Sequence, residues 1–261
     1  MGETTKIQWT DHTFNVAWGR TKVSPGCANC YAEKDAHRYG FDVWGKGTER
    51  RTFGDKHWAE PLKWNREAAR EGRRHRVFCS SMADVFEDHP TIEALLPRLR
   101  CLINDTPNLD WQILTKRAER MLDLWPVFPV NAWAGVSVES NDYIHRINAL
   151  RKVDAVIRFV SFEPILGPVT GANLRGIHWA IFGGESQSGA RPCDVEWIRG
   201  GIAACRHEGA APFVKQLGRV PMQEIAPNCD ALIDLRDRKG GDMEEWPADL
   251  RVREFPAVRN A

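Results

Sequence analysis

From residue 77 onward, short runs of β-branched or aromatic residues alternate with polar stretches and with segments of helical period. The runs predict six strands, at residues 77–81, 111–116, 133–139, 157–163, 178–185 and 212–215. Between them, apolar residues recur at helical spacing in residues 91–104, in a segment from Asn141, and from Asp194 to Gly209. Alternating strands and helices indicate parallel strands joined by crossover connections, and therefore an α/β fold.

Polar and charged side chains recur where these predicted strands end. In a (βα) barrel the carboxyl ends of the strands meet at one mouth, where active sites are built. The sequence therefore predicts a partial (βα) TIM-type barrel with its chemistry at that mouth. The residues at the predicted strand ends are Asp84, Lys116, Arg117, Glu139, Glu163, Glu185 and Lys215.

The other segments are expected to complete a single barrel domain over residues 1–261. A first strand is predicted at residues 13–18, followed by a loop and a helix that begins near Cys30. Residues 40–75, which are rich in Gly, Trp and Arg, are expected to form an insertion after the first βα unit, as a lid or lateral cover. Residues 219–261 are polar and rich in turn formers, and predict an irregular C-terminal arm.

Composition is that of an ordinary globular protein, with 43% hydrophobic and 27% charged residues. No apolar run approaches the roughly 20 residues of a membrane span, and the N-terminus lacks the features of a signal peptide. We therefore expect a cytoplasmic protein with no membrane partner. Seven cysteines, with Cys27 and Cys30 closely spaced, fit metal or redox chemistry in a reducing compartment better than a disulfide framework.

A formal net charge of +1 gives no general attraction to nucleic acid or membranes. Two local basic clusters stand out, Arg50 with Arg51 and the arginines of residues 70–76. They are interpreted either as a solvated helix end before a strand or as a patch that contacts phosphate groups. Nucleic acid is a possible partner on this ground alone.

Four segments carry a family resemblance. In this order they resemble a family of phage and bacterial proteins of unassigned function, which carry a three-cysteine motif and are similar to radical SAM enzymes. The resemblance runs from about Ile7 to Gly218. It implies a radical-SAM-like barrel, a [4Fe-4S] cluster and S-adenosylmethionine as cofactors, and a phage protein in the host cytoplasm. The segments are residues 21–33 (TKVSPGCANCYAE), 114–117 (LTKR), 162–169 (FEPILGPV) and 183–192 (GGESQSGARP).

The resemblance implies that Cys27 and Cys30 are metal ligands, because radical SAM enzymes hold their cluster with three cysteine thiolates. The family motif is Cys, six residues, Cys, two residues, Cys, which places the first cysteine at position 20. This chain has Arg20 there. A guanidinium does not deprotonate and cannot ligate iron.

Three interpretations of this departure stay open. Cys193, in a loop at the predicted mouth, could supply the third ligand, and Cys79 is a second candidate. The chain could instead have lost the cluster and kept the fold as a binding surface, with Arg20 offering a charge. A labile cluster could also form on Cys27 and Cys30 with water or a ligand.

The remaining candidate residues are assigned to cofactor binding and catalysis. The Gly-Gly-Glu strand end resembles the strand edge that receives the methionyl amine of S-adenosylmethionine, and the carboxylate could pair with the ammonium. The lysines could hold an anionic substrate such as a nucleotide, or pair with glutamates across the mouth. The cofactor-binding candidates are Tyr31, Gly183, Gly184 and Glu185. The catalytic candidates are Lys116, Glu139, Glu163 and Lys215.

The leading functional hypothesis is a radical-SAM-like enzyme or a degenerate descendant of one. The first alternative is a non-catalytic phage protein that binds a host macromolecule or a nucleotide through the mouth and the Trp-rich insertion, since eleven Trp are many for this length. The second alternative is a carboxylate-metal enzyme, in which a divalent cation is held by Asp84, Glu139, Glu163 and Glu185.

Overall fold

The chain is described by a computed structural model over residues 5, 7–227 and 229–257. Seven strands form one sheet, in the order β1-β4-β5-β6-β7-β8-β10. The strands are β1 (His12–Thr13), β2 (Ala17–Trp18), β3 (Arg51–Thr52), β4 (His75–Cys79), β5 (Leu109–Thr115), β6 (Ala132–Ser137), β7 (Arg158–Phe162), β8 (Trp179–Gly183), β9 (Cys193–Asp194), β10 (Ala211–Gln216), β11 (Pro221–Ala226) and β12 (Cys229–Leu232).

Helices connect most of these strands. The described residues also contain four 3₁₀ helices, at Pro25–Cys27, Asn141–Tyr143, Met243–Glu245 and Ala248–Leu250. The α-helices are α1 (Tyr31–Arg38), α2 (Asp55–Trp58), α3 (Glu60–Glu71), α4 (Pro90–Asn104), α5 (Ala118–Leu124), α6 (His145–Leu150) and α7 (Val195–Glu208).

The predicted fold class is confirmed: the chain is a mixed α/β protein with an all-parallel seven-stranded sheet of the partial (βα)-barrel type. All six strands predicted from residue 77 onward are present. Their buried positions form near-continuous apolar runs, as expected for parallel strands covered on both faces. Within the described residues, no helix combines the length and the apolar character needed to cross a bilayer.

The chain divides into two compact units, with the division falling inside β6. The first unit contains the described residues of 1–23, 30–135 and 152–156. The second contains the described residues of 24–29, 136–151 and 157–261.

In the first unit, the predicted strand at residues 13–18 is two short strands instead of one. β1 pairs with β4 in the main sheet, whereas β2 pairs with β3 in a separate antiparallel ladder. The buried Asn15 separates them, because its side-chain oxygen accepts hydrogen bonds from Ser80 Oγ at 3.0 Å and from the Met82 backbone N–H at 2.6 Å. These side-chain bonds take the place of ladder bonds at that position.

The insertion at residues 40–75 contains helices α2 and α3, which the sequence pattern did not predict. Its Trp44, Trp58 and Trp64 are buried. Nine of the eleven Trp are buried in total, so the Trp content reflects core packing more than an exposed interface.

The basic clusters are largely neutralised by acids of the same unit. Arg73 and Arg76 pair with Asp11 at 3.0 and 3.5 Å, and Arg74 pairs with Asp110 at 2.8 Å. These contacts favour the interpretation of residues 70–76 as a helix end before a strand.

Arg50 is fully buried and forms an ion pair with Glu87, with 2.9 Å between Nε and Oε2. Its guanidinium also donates to the carbonyl oxygens of Val43 and Gly45, at 3.1 and 3.0 Å. The Glu87 carboxylate accepts the Thr21 backbone N–H at 2.6 Å. The pair therefore connects the insertion, the loop after β2 and the segment after β4.

In the second unit, helix α7 matches its prediction closely. Asp194 caps its N-terminus by accepting the Glu196 N–H, and Gly209 ends it in the left-handed conformation. At Gly201 the helix lies so close to the Phe182 ring that an added Cβ would be 2.2 Å from a ring carbon. The segment from Asn141, predicted as one helix, is a 3₁₀ turn followed by α6.

The C-terminal arm contains more regular structure than expected. β11 pairs antiparallel with β12 and parallel with β9, which forms a small three-stranded sheet. Further along, Trp246 and Leu250 are buried within the second unit.

We expect Arg50→Met to lower the free energy of unfolding by about 3–5 kcal/mol, because the substitution removes the nearer cation of the buried Glu87 and leaves only Arg117, at 3.4 Å. Urea unfolding measures the change. Arg206→Ala, which removes an exposed pair with Glu254, is the control and should change stability far less. An Arg50 variant as stable as this control would contradict the assigned role.

We also expect stability to fall as the pH drops through about 6.5, the ordinary pKa of an unfolded histidine. Burial and the nearby His75, 3.1 Å away, lower the pKa of His12 in the folded chain. The unfolded chain then binds more protons than the native chain below that pH, so acid favours unfolding. His12→Phe, which keeps a ring to stack on Trp64, should weaken this pH dependence in urea unfolding series. An unchanged slope would show that His12 does not cause it.

Candidate functional site

The predicted site residues lie at or just beyond the carboxyl ends of the parallel strands. Asp84 follows β4, Glu139 follows β6 and Glu163 follows β7. Gly183 is the last residue of β8, and Lys215 lies near the end of β10. These residues thus follow the strands as the sequence analysis placed them, and the contacts of each side chain indicate what it can do.

In the first unit, Asp84 is buried and fully engaged. Its carboxylate accepts hydrogen bonds from Thr115 Oγ1 at 2.6 Å, from the Lys116 N–H at 3.2 Å and from Arg117 Nη1 at 2.9 Å. Burial acts to raise the pKa of Asp84, but the Arg117 charge and these hydrogen bonds outweigh it, so the pKa lies below its ordinary value. Asp84 is thus an ionised anchor for the segment after β5.

Cys30 and Tyr31 begin helix α1 in the same unit. Cys30 is buried and packs in a cluster that includes Trp44 and Met82, whereas Tyr31 is exposed. Arg20 Nη2 donates to Cys30 Sγ at 3.0 Å. A guanidinium therefore occupies the immediate surroundings of the cysteine, where the resemblance implies a cluster.

In the second unit, Glu139 holds the segment at residues 24–29. Its Oε1 accepts the Ser24 hydroxyl at 2.6 Å, and its Oε2 pairs with Arg146 Nη1 at 2.9 Å. A Cβ added at Gly26 would lie 2.5 Å from Glu139 Oε1, so only glycine fits there without a shift. This geometry makes Glu139 a positioning residue.

Glu163 and Lys215 are brought together in the second unit. Lys215 Nζ lies 2.8 Å from Glu163 Oε1, and both side chains are only partly exposed. A Cβ at Gly183 would lie 2.7 Å from the same carboxylate oxygen. Gly183 therefore provides room for this ion pair.

Glu185 is surrounded by donors of its own unit. Its Oε2 accepts hydrogen bonds from Asn29 Nδ2 at 3.0 Å and from the Arg191 backbone N–H at 2.9 Å, and the Arg191 guanidinium pairs with the carboxylate. Burial acts to raise the pKa of Glu185, but these hydrogen bonds outweigh it and hold the pKa below its ordinary value. Gly184 lies against the Leu217 carbonyl oxygen and the Cβ of Cys193.

Among the described residues, no three cysteines are grouped as a metal site requires. Cys27 is buried in the 3₁₀ helix Pro25–Cys27. Burial raises the pKa of Cys193 and of Cys79 to about 12. Because Arg20 donates to Cys30 and no described group of three ligands is present, the residues do not fit a three-thiolate cluster.

The carboxylates are likewise poor candidates for a shared metal site. Each is paired with a cation: Asp84 with Arg117, Glu139 with Arg146, Glu163 with Lys215, and Glu185 with Arg191. Among the residues that the structure describes, no group of three His, Cys, Asp or Glu side chains is arranged to hold a metal ion.

A cavity of about 450 Å³ opens beside Glu139 in the second unit. Two aromatic rings face it, together with one arginine, one exposed acid and one serine. It is called here the Trp197 pocket. Its lining residues are Pro25, Glu139, Ser140, Asp142, Tyr143, Leu166, Arg191, Pro192 and Trp197.

Sequence reasoning allowed for a lysine that pairs with a glutamate, as Lys215 does with Glu163, but it missed Arg146, Arg191 and the rings of this pocket. Arg191 lies within the family-like segment 183–192, so the sequence did carry a signal for it. Trp197 fitted the apolar face of the predicted helix equally well, and only the structure reveals that it is half-buried at a cavity. No sequence pattern distinguishes the buried Arg146 from the exposed arginines of the chain.

Comparison with known proteins gives one family and a set of distant structures. The family profile described as "Protein of unknown function (DUF5131)" matches residues 4–247. No curated protein matches the chain.

Similar solved structures include three forms of spore photoproduct lyase. A mutant with bound AdoMet and dinucleoside spore photoproduct has 16% identity and a TM-score of 0.42, over 78% of this chain and 52% of the lyase. A second mutant has 16% identity and a TM-score of 0.46, over 69% and 57%. The lyase complexed with dinucleoside spore photoproduct has 16% identity and a TM-score of 0.38, over 66% and 53%. The chain thus spans about half the length of these lyases.

Arg20→Cys tests whether position 20 is a vacant ligand position. After anaerobic reconstitution with iron and sulfide, we expect the parent chain to hold little iron and Arg20→Cys to approach one cluster per chain, because a thiolate replaces the guanidinium. Iron content and visible absorbance measure this. Arg20→Ala removes the guanidinium without adding a thiolate and should resemble the parent. Equal iron in both variants would show that position 20 is not a ligand position.

Proposed function

The chain belongs to the family described as "Protein of unknown function (DUF5131)", and on that premise we propose that it is a radical-SAM-like protein that binds a nucleoside-type ligand in the Trp197 pocket without a three-thiolate cluster. Binding, rather than radical chemistry, is the function that the contacts of the candidate residues support best.

The observation that carries this proposal is the composition of the Trp197 pocket. Tyr143 and Trp197 line the pocket with aromatic rings on which a planar base can stack. Arg146 covers one face of the Tyr143 ring, 4.4 Å from its centroid, so Trp197 is the main stacking surface. Arg191 and Asp142 supply one charge of each sign, and Ser140 supplies a hydroxyl. A volume of about 450 Å³ is within the usual range for small-molecule sites.

S-adenosylmethionine is the first candidate ligand, because its parts match these groups. Its adenine suits the two rings and its ammonium suits Asp142. Its carboxylate suits Nη1 of Arg191, because Nε and Nη2 of this guanidinium already donate to Glu185 and to the Pro25 carbonyl oxygen. In this proposal Asp142 takes the role that the sequence assigned to Glu185, since Glu185 is already bound by Asn29 and Arg191. When bound, S-adenosylmethionine supplies an activated sulfonium group.

Loss of radical chemistry is supported by the contact between Arg20 and Cys30 at 3.0 Å. A cluster that is not held cannot deliver the electron on which radical SAM chemistry depends. The alternative of a carboxylate-metal enzyme has less support, because the carboxylates are paired with cations. A phage origin, a cytoplasmic location and a host macromolecule as partner stay predictions from the sequence.

Isothermal titration with S-adenosylmethionine, S-adenosylhomocysteine and adenosine tests the proposal. We expect binding to the parent chain, and Trp197→Ala should weaken it by about five-fold or more, since a base stacked on an aromatic side chain contributes about 1–3 kcal/mol. Tyr39→Ala, which removes an exposed ring of the first unit, is the control and should bind as the parent does. No heat with any of the three compounds would refute the proposal, and unweakened binding by Trp197→Ala would refute the assigned pocket.

A further inference from the structure

A second cavity, of about 380 Å³, lies in the C-terminal part of the second unit. Its lining includes Arg219, Pro221, Leu232, Asp237 and Arg238. It is called here the hairpin cleft, because Pro221 and Leu232 belong to the paired strands β11 and β12. It shares no lining residue with the Trp197 pocket.

Arg219 extends from a tightly packed turn. The preceding Gly218 has a φ of +91°, and a Cβ there would lie 2.9 Å from the Gly184 backbone. A Cβ at Gly240 would lie 2.4 Å from the Gly218 carbonyl oxygen. The Arg219 N–H donates to the Glu185 carbonyl oxygen at 2.7 Å. The backbone that presents Arg219 is therefore held in place before any ligand binds.

Arg238 extends from a second ordered turn. The Asp237 carboxylate accepts the backbone N–H groups of Lys239, Gly241 and Asp242 at 3.0, 2.7 and 3.1 Å. These three donors fix the carboxylate within its own turn and lower its pKa, so Asp237 stays ionised. The cleft lining therefore includes this negative charge, held by the backbone of its turn.

The two arginines lack acidic partners. Among the described residues, neither Arg219 nor Arg238 makes an ion pair, whereas the neighbouring Arg236 pairs with Glu245 at 2.9 Å. Asp234 also borders the cleft, and its side chain is exposed, as are those of Arg219 and Arg238. The cleft therefore presents two exposed guanidinium groups, carried by ordered turns, beside two acids.

We propose that the hairpin cleft is a binding site for a phosphate group, separate from the Trp197 pocket. Guanidinium groups bind phosphate through paired N–H donors, and two of them on preordered backbone lose little freedom on binding. Leu232 and Ile233 offer apolar contact to the carbon part of a phosphate ester. The phosphate can belong to a nucleotide or to a nucleic-acid backbone, since the two share this chemistry.

Two probes distinguish these sources. Inorganic triphosphate has no base, so it cannot exploit the rings of the Trp197 pocket, and a short single-stranded oligonucleotide presents phosphodiesters. We expect the parent chain to bind at least one probe at low salt. The double variant Arg219→Ala with Arg238→Ala should weaken that binding about ten-fold or more, because two charged hydrogen-bond donors are lost.

Arg236→Ala is the matched control. It removes one positive charge from the same segment but leaves the cleft intact, and it should keep most of the affinity. Arg219→Ala alone changes the net charge by the same amount. A larger loss of affinity in Arg219→Ala than in Arg236→Ala would therefore show binding at the cleft, because a general effect of net charge would weaken both variants equally. Failure of both probes to bind the parent, or equal losses in Arg219→Ala and Arg236→Ala, would overturn the proposal.

The outcome is independent of the proposed nucleoside pocket. Trp197→Ala should bind triphosphate as the parent does, and the double arginine variant should keep its response to S-adenosylmethionine. If the double arginine variant loses affinity for triphosphate alone, the cleft is assigned to nucleotides. If it loses affinity for the oligonucleotide alone, the cleft is assigned to nucleic acid.

Discussion

The buried ion pair between Arg50 and Glu87 is the constraint on which the first unit depends. Arg50 reaches Glu87 from the insertion, while Glu87 holds Thr21 at 2.6 Å and lies 3.4 Å from Arg117. Removing two charges from water is unfavourable unless their remaining donors and acceptors are satisfied, and the backbone of the insertion satisfies those of Arg50. The insertion is therefore a structural part of the unit and more than a decoration of the barrel.

At the strand ends of the second unit, the buried or partly buried carboxylates are likewise paired with cations. Glu139, Glu163 and Glu185 each meet a cation, and Glu139 and Glu185 also hold the segment at residues 24–29 through Ser24 and Asn29. A carboxylate that is neutralised and hydrogen-bonded in this way organises backbone, and it has little capacity left for substrate or metal. In our proposals, ligands therefore bind next to these pairs, in the Trp197 pocket and in the hairpin cleft.

Sequence reasoning succeeded where the signal is local. Asp194 and Gly209 bound helix α7 because capping depends on residues within one turn of the helix. It failed at residues 13–18, where Asn15 forms hydrogen bonds with residues more than sixty positions away and divides the expected strand. It also failed for helix α3, because residues 40–75 were expected to form a lid or lateral cover and no helix was predicted there.

The sequence by itself determined the parallel α/β order, the family and the presence of arginine at position 20, because periodicity and motif spacing are properties of neighbouring residues. Only the tertiary structure decided which cation meets which carboxylate, that Cys193 is a buried thiol, and that Trp197 borders a cavity. Ser24 and Glu139 illustrate the reason: they are 115 positions apart, and only the packing of strands brings them within hydrogen-bond distance. The charge and hydrogen bonding of a side chain such as Glu139 depend on its neighbours in space, and these neighbours cannot be read from the order of residues along the chain.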